Sequence, residues 1–153
     1  MSGPAAGDKA PDFELQTADG PVRLADYAGK TLVLYFYPKD DTTGCTREAQ
    51  DFTALAADFA KAGVAVVGVS KDSVERHKKF TAKYELGVPL GADPDGAVIE
   101  RYGSWVEKTL YGRNYMGIDR SNFLIKGGVV QRVWRKVKVA GHAQQVLDAA
   151  RAL

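Results

Sequence analysis

The stretch TLVLYFYPKDDTTGCTREAQDFTALAADFAKAGVAVVGVS, residues 31–70, decides the fold. Its opening TLVLYFY (31–37) is a continuous apolar and aromatic run, which predicts a strand buried on both faces. Pro38 ends that run, and KDDTTG follows as a turn. From there Cys45, Ala49, Phe52, Leu55 or Ala56, and Phe59 recur on one helical face. Lys61-Ala62-Gly63 closes the helix, a basic residue followed by glycine. VAVVGVS (64–70) is then a second buried strand.

Working outward, PDFELQTADGPVRL reads as two short extended runs around a turn at Asp19-Gly20-Pro21. SVERHKKFTAKYEL predicts a helix with Ser73 as its cap. VPLGADPDG gives a short strand and turn, AVIERYG a short helix, and 104–119 an irregular segment rich in aromatics and glycine. NFLI and VVQRVW flank Lys126-Gly127-Gly128, a hairpin signal, and Gly141 to Leu153 makes a terminal amphipathic helix. This order describes an α/β layer fold, a central mixed β-sheet flanked by α-helices. The expectation is one domain over residues 1–153, with 1–8 a mobile leader.

Composition narrows the function classes. Hydrophobic residues make up 45% and charged residues 26% of the chain, the balance of a globular domain. No apolar run approaches the roughly 20 residues that span a bilayer. The opening MSGPAAGDKAPDF lacks the apolar segment of a signal peptide, which points away from secretion. Twenty-one basic against 19 acidic residues leave a net charge of +2, too little to argue for nucleic acid. The basic run RVWRKVK (132–138) alternates with Val and Trp and reads as a solvated outer strand face.

Cys45 is the sole cysteine, so the chain holds no internal disulfide, no Cys-x-x-Cys motif and no multi-cysteine zinc site. A reducing, cytoplasmic setting fits. His77 and His142 stand far apart without metal-ligand spacing and read as ordinary surface histidines; no metal or cofactor is expected.

With Thr42 as N-cap, Thr43, Gly44 and Cys45 occupy the first turn of the helix. Unpaired backbone N–H groups and the positive end of the macrodipole lie there and favour a thiolate, the reactive form of cysteine. The Thr42 hydroxyl is placed to donate to the sulfur or to a substrate oxygen, and Gly44 allows close approach to the backbone. The crevice beyond a strand end is also where ligands enter open α/β sheets. A buried cysteine acting as a small hydrophobe is the alternative at this point.

YPKDDTTGCTREAQDF resembles the active-site segment of the peroxiredoxins, specifically their bacterioferritin comigratory protein (peroxiredoxin Q) subfamily. Its Pro-x-x-x-Thr-x-x-Cys pattern is met by Pro38, Thr42 and Cys45, with Glu48 accompanying. LYGRNYMGIDRSNFLI (110–125) resembles a second block of that subfamily, and APDFELQTADG and SVERHKKFTAKYEL extend the similarity along nearly the whole chain. The resemblance implies a thioredoxin-like fold and reduction of hydrogen peroxide or alkyl hydroperoxides. It makes Cys45 the peroxidatic cysteine, Arg120 the arginine that holds thiolate and peroxide, Thr42 the residue that orients the peroxide, Pro38 the cover of the pocket and Glu48 the group that positions the arginine. A non-catalytic thioredoxin-fold module and a cysteine hydrolase using His77 or His142 are the competing readings.

The chain departs from the subfamily pattern at Thr43, usually proline; at Asn122, usually threonine; and at Lys126, usually aspartate. The latter two read as surface or turn variation. Gln50 stands where many relatives carry a resolving cysteine. Five residues along a helix mean about 140° of rotation and about 7.5 Å of rise, so such a pair needs local unwinding before it can bond. With Gln50 native, the resemblance implies a 1-Cys enzyme reset by an external thiol: thioredoxin, glutaredoxin or glutathione. It allows a monomer or a homodimer.

Overall fold

The computed structural model describes residues 3–153. In chain order the strands are β1 (Glu14–Thr17), β2 (Gly20–Arg23), β3 (Thr31–Phe36), β4 (Val64–Ser70), β5 (Leu90–Ala92), β6 (Trp105–Leu110), β7 (Arg113–Ile118), β8 (Ser121–Lys126) and β9 (Val129–Trp134). The helices are α1 (Thr43–Ala54), α2 (Ala56–Lys61), α3 (Val74–Tyr84), α4 (Ala97–Arg101) and α5 (His142–Arg151), with a 3-10 turn at Leu24–Tyr27.

Seven strands form one sheet in the order β2-β1-β5-β4-β3-β8-β9. β3 pairs parallel with β4, from Thr31 opposite Val64 to Phe36 opposite Val69, and antiparallel with β8. The sheet is therefore mixed, as the order of elements predicts. The apolar run of β3 is explained by its central place. Val33 and Tyr35 face a core with Cys45, Ala49, Phe52, Leu124 and Val146, while Leu32, Leu34 and Phe36 face a second core with Ile99, Tyr102 and Phe123. Burial on both sides leaves no position for a charged side chain.

Three expectations are adjusted. The single helix expected over residues 43–61 is two, because Leu55 leaves helical geometry with ψ 5°. The break keeps both Phe52 and Phe59 in the core with ring centroids 5.9 Å apart. The segment expected to be irregular, 104–119, is the β6–β7 hairpin, turned at Tyr111-Gly112 with φ 50° and 77°. A tyrosine at the first turn position hides the usual Asn-Gly or Asp-Gly signal, and the exposed arm has no apolar alternation to read. Of the expected leader, Met1 and Ser2 lie outside the described residues. Gly7 N donates to Val130 O at 2.8 Å, and Val130 N to Asp8 O at 2.9 Å, which lines this segment along the open edge of β9.

Among the described residues no helix is long and apolar enough to cross a membrane, and no group of three or more His, Cys, Asp and Glu could hold a metal ion.

Candidate active site

α1 begins where β3 has delivered the chain to one end of the sheet. Thr42 is its N-cap in extended conformation, and Cys45 is the third helical residue, 2% exposed. The Thr42 side chain does not cap the helix. Its hydroxyl donates instead to Lys39 O at 2.8 Å, so the donor role expected for Thr42 is corrected: the proton is already committed, and the oxygen presents lone pairs. Pro38 is half-buried in the same turn, and Thr42 is exposed.

Arg120 reaches this helix start from between β7 and β8. Its Nη2 donates to Cys45 Sγ at 3.2 Å, and its Nη1 to Glu48 Oε1 at 2.7 Å. One planar guanidinium thus bridges two groups on the first turns of α1, a use of its fixed donor fork that a lysine cannot reproduce. Gly44 leaves room for this approach, since a Cβ at that position would lie 3.1 Å from Nη2, a tight contact. The expected close approach to the Gly44 backbone is made by the arginine. Of the sequence candidates, Cys45, Glu48 and Arg120 are joined directly by hydrogen bonds, while Thr42 and Pro38 form the adjoining turn.

The electrostatics follow from burial. Glu48 is 2% exposed, and desolvation raises its pKa to about 7 even though Arg120 and the Asn122 amide both favour its charged form. Burial opposes the charge of Arg120, but Glu48 and Cys45 outweigh it, so the guanidinium is held above its ordinary value.

The backbone of Arg120 is fixed by a segment that the sequence assigned to a solvated face. Val137 N donates to Arg120 O at 2.9 Å, and Lys136 N to Asp119 Oδ2 at 3.3 Å. Only the first part of RVWRKVK belongs to edge strand β9; Arg135 turns inward and donates to the carbonyls of Gly103 and Tyr102. The β6–β7 hairpin also reaches the site. Lys108 is partly buried, which lowers its pKa, and Asp119, Arg120 and Cys45 are near enough to act on its charge.

Both histidines are buried, which corrects the surface reading: His77 is 1% exposed and His142 5%. Oδ2 of Asp40 lies 2.6 Å from Nδ1 of His77, while Tyr37 Oη donates to Oδ1 of the same carboxylate at 2.5 Å. His77 Nε2 faces Gly91 O at 3.2 Å. Next to Asp40, the Asp41 carboxylate accepts from Lys83 Nζ at 2.8 Å and Tyr84 Oη at 2.7 Å. α3 therefore clamps the turn that carries Pro38 and Thr42. His142 packs edge-on against Trp134 with ring centroids 5.6 Å apart, and burial lowers its pKa. Neither histidine has a hydrogen bond to Cys45.

Asn122 corrects a second surface reading. It is 0% exposed on β8, opposite Tyr35 of β3. Lys126, by contrast, is exposed at the strand end. Gln50 lies exposed on α1, which runs helically without interruption from Cys45 through it, and it lines an open hollow with Thr42, Arg47, Tyr84 and Val139.

Comparison with known proteins places this geometry. Residues 6–133 match the AhpC/TSA family. The chain is 50% identical over 143 residues to a putative peroxiredoxin bcp of Coxiella burnetii, covering 92% of this chain and 95% of that protein. It is 47% identical over 144 residues to peroxiredoxin Bcp of Bacillus subtilis, covering 93% and 92%. Among solved structures, peroxiredoxin Q of Xanthomonas campestris superimposes with a TM-score of 0.87 at 47% identity, covering 92% of this chain and 90% of that one. A mutant of the Xylella fastidiosa peroxiredoxin Q gives 0.94 at 37% identity, covering 99% and 98%. The mixed sheet and its helices are thus the thioredoxin-like fold of these peroxiredoxins. The chain belongs to the AhpC/TSA family and, within it, to the Bcp or peroxiredoxin Q group of thiol-dependent peroxidases.

Proposed function

We propose that this chain reduces hydrogen peroxide and alkyl hydroperoxides through a sulfenic acid on Cys45, in a 1-Cys cycle completed by an external thiol. The observation that carries this reading is the Arg120 bridge, with one guanidinium nitrogen on Cys45 Sγ and the other on Glu48.

The thiolate of Cys45 attacks the distal peroxide oxygen, and the O–O bond breaks. The sulfur keeps that oxygen as S–OH, and the other oxygen leaves as an alkoxide or hydroxide that takes a proton to become alcohol or water. Arg120 holds the thiolate before attack and meets negative charge as it develops on the leaving oxygen. Thr42, its own proton given to Lys39 O, accepts a hydrogen bond from the hydroperoxide O–H and so orients it. Pro38 walls the turn beside it. Glu48 fixes the guanidinium from behind.

Reset follows from the residue count. One cysteine in 153 residues leaves no internal partner for the sulfenic acid. An external thiol condenses with it, releasing water and leaving a mixed disulfide; a second thiol then releases Cys45 as the free thiol. Thioredoxin, glutaredoxin and glutathione are the reductants of that chemistry, and the cytoplasm is the compartment that supplies them. A structure of the Xanthomonas campestris bacterioferritin comigratory protein is described in terms of its alkyl peroxide reduction activity, which supports the choice of substrate class.

The test is stopped-flow mixing of reduced protein with hydrogen peroxide and with an alkyl hydroperoxide, followed by intrinsic fluorescence. A fast second-order phase, absent in Cys45→Ser, is expected, with turnover restored by at least one of the three reductants. A reaction no faster than that of a free thiol overturns the peroxidase reading in favour of a non-catalytic module.

A further inference from the structure

We propose that Asn122 is a positioning residue for the peroxide reaction, its side-chain amide bonding the second carboxylate oxygen of Glu48 and so fixing Arg120 against Cys45. This deepens the peroxidase reading and rests on it.

Asn122 stands on β8 opposite Tyr35 of β3, whose ring lies in the core beneath α1, and Arg120 enters the same region from just before the strand. Leu124, two residues beyond Asn122, lies in the core with Cys45, Ala49 and Phe52, so Asn122 occupies an otherwise apolar surface beneath the helix. It is wholly buried, and neither Nδ2 nor Oδ1 has a hydrogen-bond partner. The same is true of Glu48 Oε2, whose other oxygen is taken by Arg120. The Asn122 amide is close enough to Glu48 to favour its charged form.

A buried amide without partners is costly, and an apolar side chain of that size is not. Its presence is accounted for if the amide closes on Oε2 during the cycle. A carboxamide carries both a donor and an acceptor, so it can serve a carboxylate through N–H or a carboxylic acid through C=O. Glu48 is faced by Arg120 and Asn122 from the β8 side, by Cys45 and Asp51 on its own helix, and by Tyr35 from β3. Asn122 alone among these is uncharged, non-titrating and without a partner. It therefore steadies the carboxylate whichever protonation state it holds, and the carboxylate steadies the arginine.

The test is a double-mutant cycle on the second-order peroxide rate. Asn122→Leu is expected to slow the reaction about tenfold, the worth of one hydrogen bond to a charged group. Its thermal stability should equal or exceed that of the parent chain. Asn122→Thr, which restores a donor and an acceptor, should recover most of the rate. In a Glu48→Gln background the Leu substitution should change the rate by less than about twofold, because it acts through Glu48. Asn122→Ala gives the same comparison with less bulk should the Leu variant fail to fold. An unchanged rate in both apolar variants, or an equal loss in both backgrounds, overturns the proposal. Alkylation of Cys45 by iodoacetamide across pH is run in parallel. A parent chain without a fast peroxide phase defeats the peroxidase reading, and the alkylation cycle then still decides Asn122: a pH profile displaced only when Glu48 is present supports it, and an undisplaced profile overturns it.

Discussion

Asp40 and His77 meet inside the protein, Oδ2 to Nδ1 at 2.6 Å, with side chains 2% and 1% exposed. The contact joins α3 to the turn that precedes Cys45. Tyr37 completes it from the end of the β3 run, and Asp40 N is held in turn by Asp72 Oδ2 at 2.8 Å.

Removing the imidazole leaves a buried carboxylate with one side-chain partner in place of two. His77→Ala should therefore destabilise the fold by about 3–5 kcal/mol, the usual cost of breaking a buried pair from one side. The measurement is urea unfolding at neutral pH. His77→Asn, which retains a donor, should lose less. Both variants should also slow the peroxide phase, because the turn carrying Thr42 is released; a fully stable His77→Ala would show that the contact contributes nothing to the fold.

Arg120 gives a sharper prediction. Its two terminal nitrogens serve Cys45 and Glu48 at once. An ammonium supplies the charge but not the planar fork, so Arg120→Lys should fare little better than Arg120→Ala. Both should slow the stopped-flow peroxide phase by about 10²-fold, the scale of losing one preorganised donor to developing charge. A lysine variant at the parent rate would mean that charge alone suffices.

The distribution of what was legible has a physical pattern. β3, α1 and β4 could be read because strands buried on both faces and a helix with one buried face impose continuous rules on many adjacent residues. Thr42 as N-cap and Cys45 in the first turn came with them. The convergence of Arg120 on Cys45, 75 positions apart, obeys no local rule, and only the family resemblance pointed to it. His77 was misread although a signal existed: it shares the α3 face of Phe80 and Tyr84 at helical spacing, and Phe80 is buried as well. Asn122 carried a similar signal, alternating with Leu124 in an apolar strand. In both cases a polar residue sits on an apolar face, and its place in the element, not its polarity, decides its burial.

Glu48 links the site to stability. Burial raises its folded pKa from 4.5 to about 7, so the folded state holds the proton more tightly than the unfolded chain does. Its contribution is fully present below about pH 4.5 and is lost as pH rises through 7, a difference on the order of 3 kcal/mol. Glutamine mimics the protonated form at every pH. Glu48→Gln should therefore match the parent chain near pH 4.5 and gain on it by pH 8, as measured by urea unfolding at the two values. Using the difference between the two proteins cancels the opposing contribution of His142, whose lowered pKa favours folding as pH rises. A difference that does not change with pH would mean that burial leaves the Glu48 pKa at its unfolded value.

The lone cysteine sets the last expectation. In the proposed cycle the sulfenic acid on Cys45 has no thiol within the chain to condense with, since Gln50 occupies the helical position five residues on. α1 remains helical across both residues, and the preceding turn is held by His77, Lys83 and Tyr84. Until an external thiol arrives, the oxidised sulfur stays beside Arg120 in the same site that receives peroxide. A second peroxide can then carry it to the sulfinic acid, which ordinary thiols do not reverse. Intact-mass analysis during peroxide titration should show one added oxygen giving way to two as peroxide exceeds protein, with activity lost in step. Adding the reductant before the excess peroxide should protect both mass and activity. A species that stops at one added oxygen under excess peroxide would mean that the sulfenic acid is shielded within the fold, and would place the limit on turnover at access of the reductant.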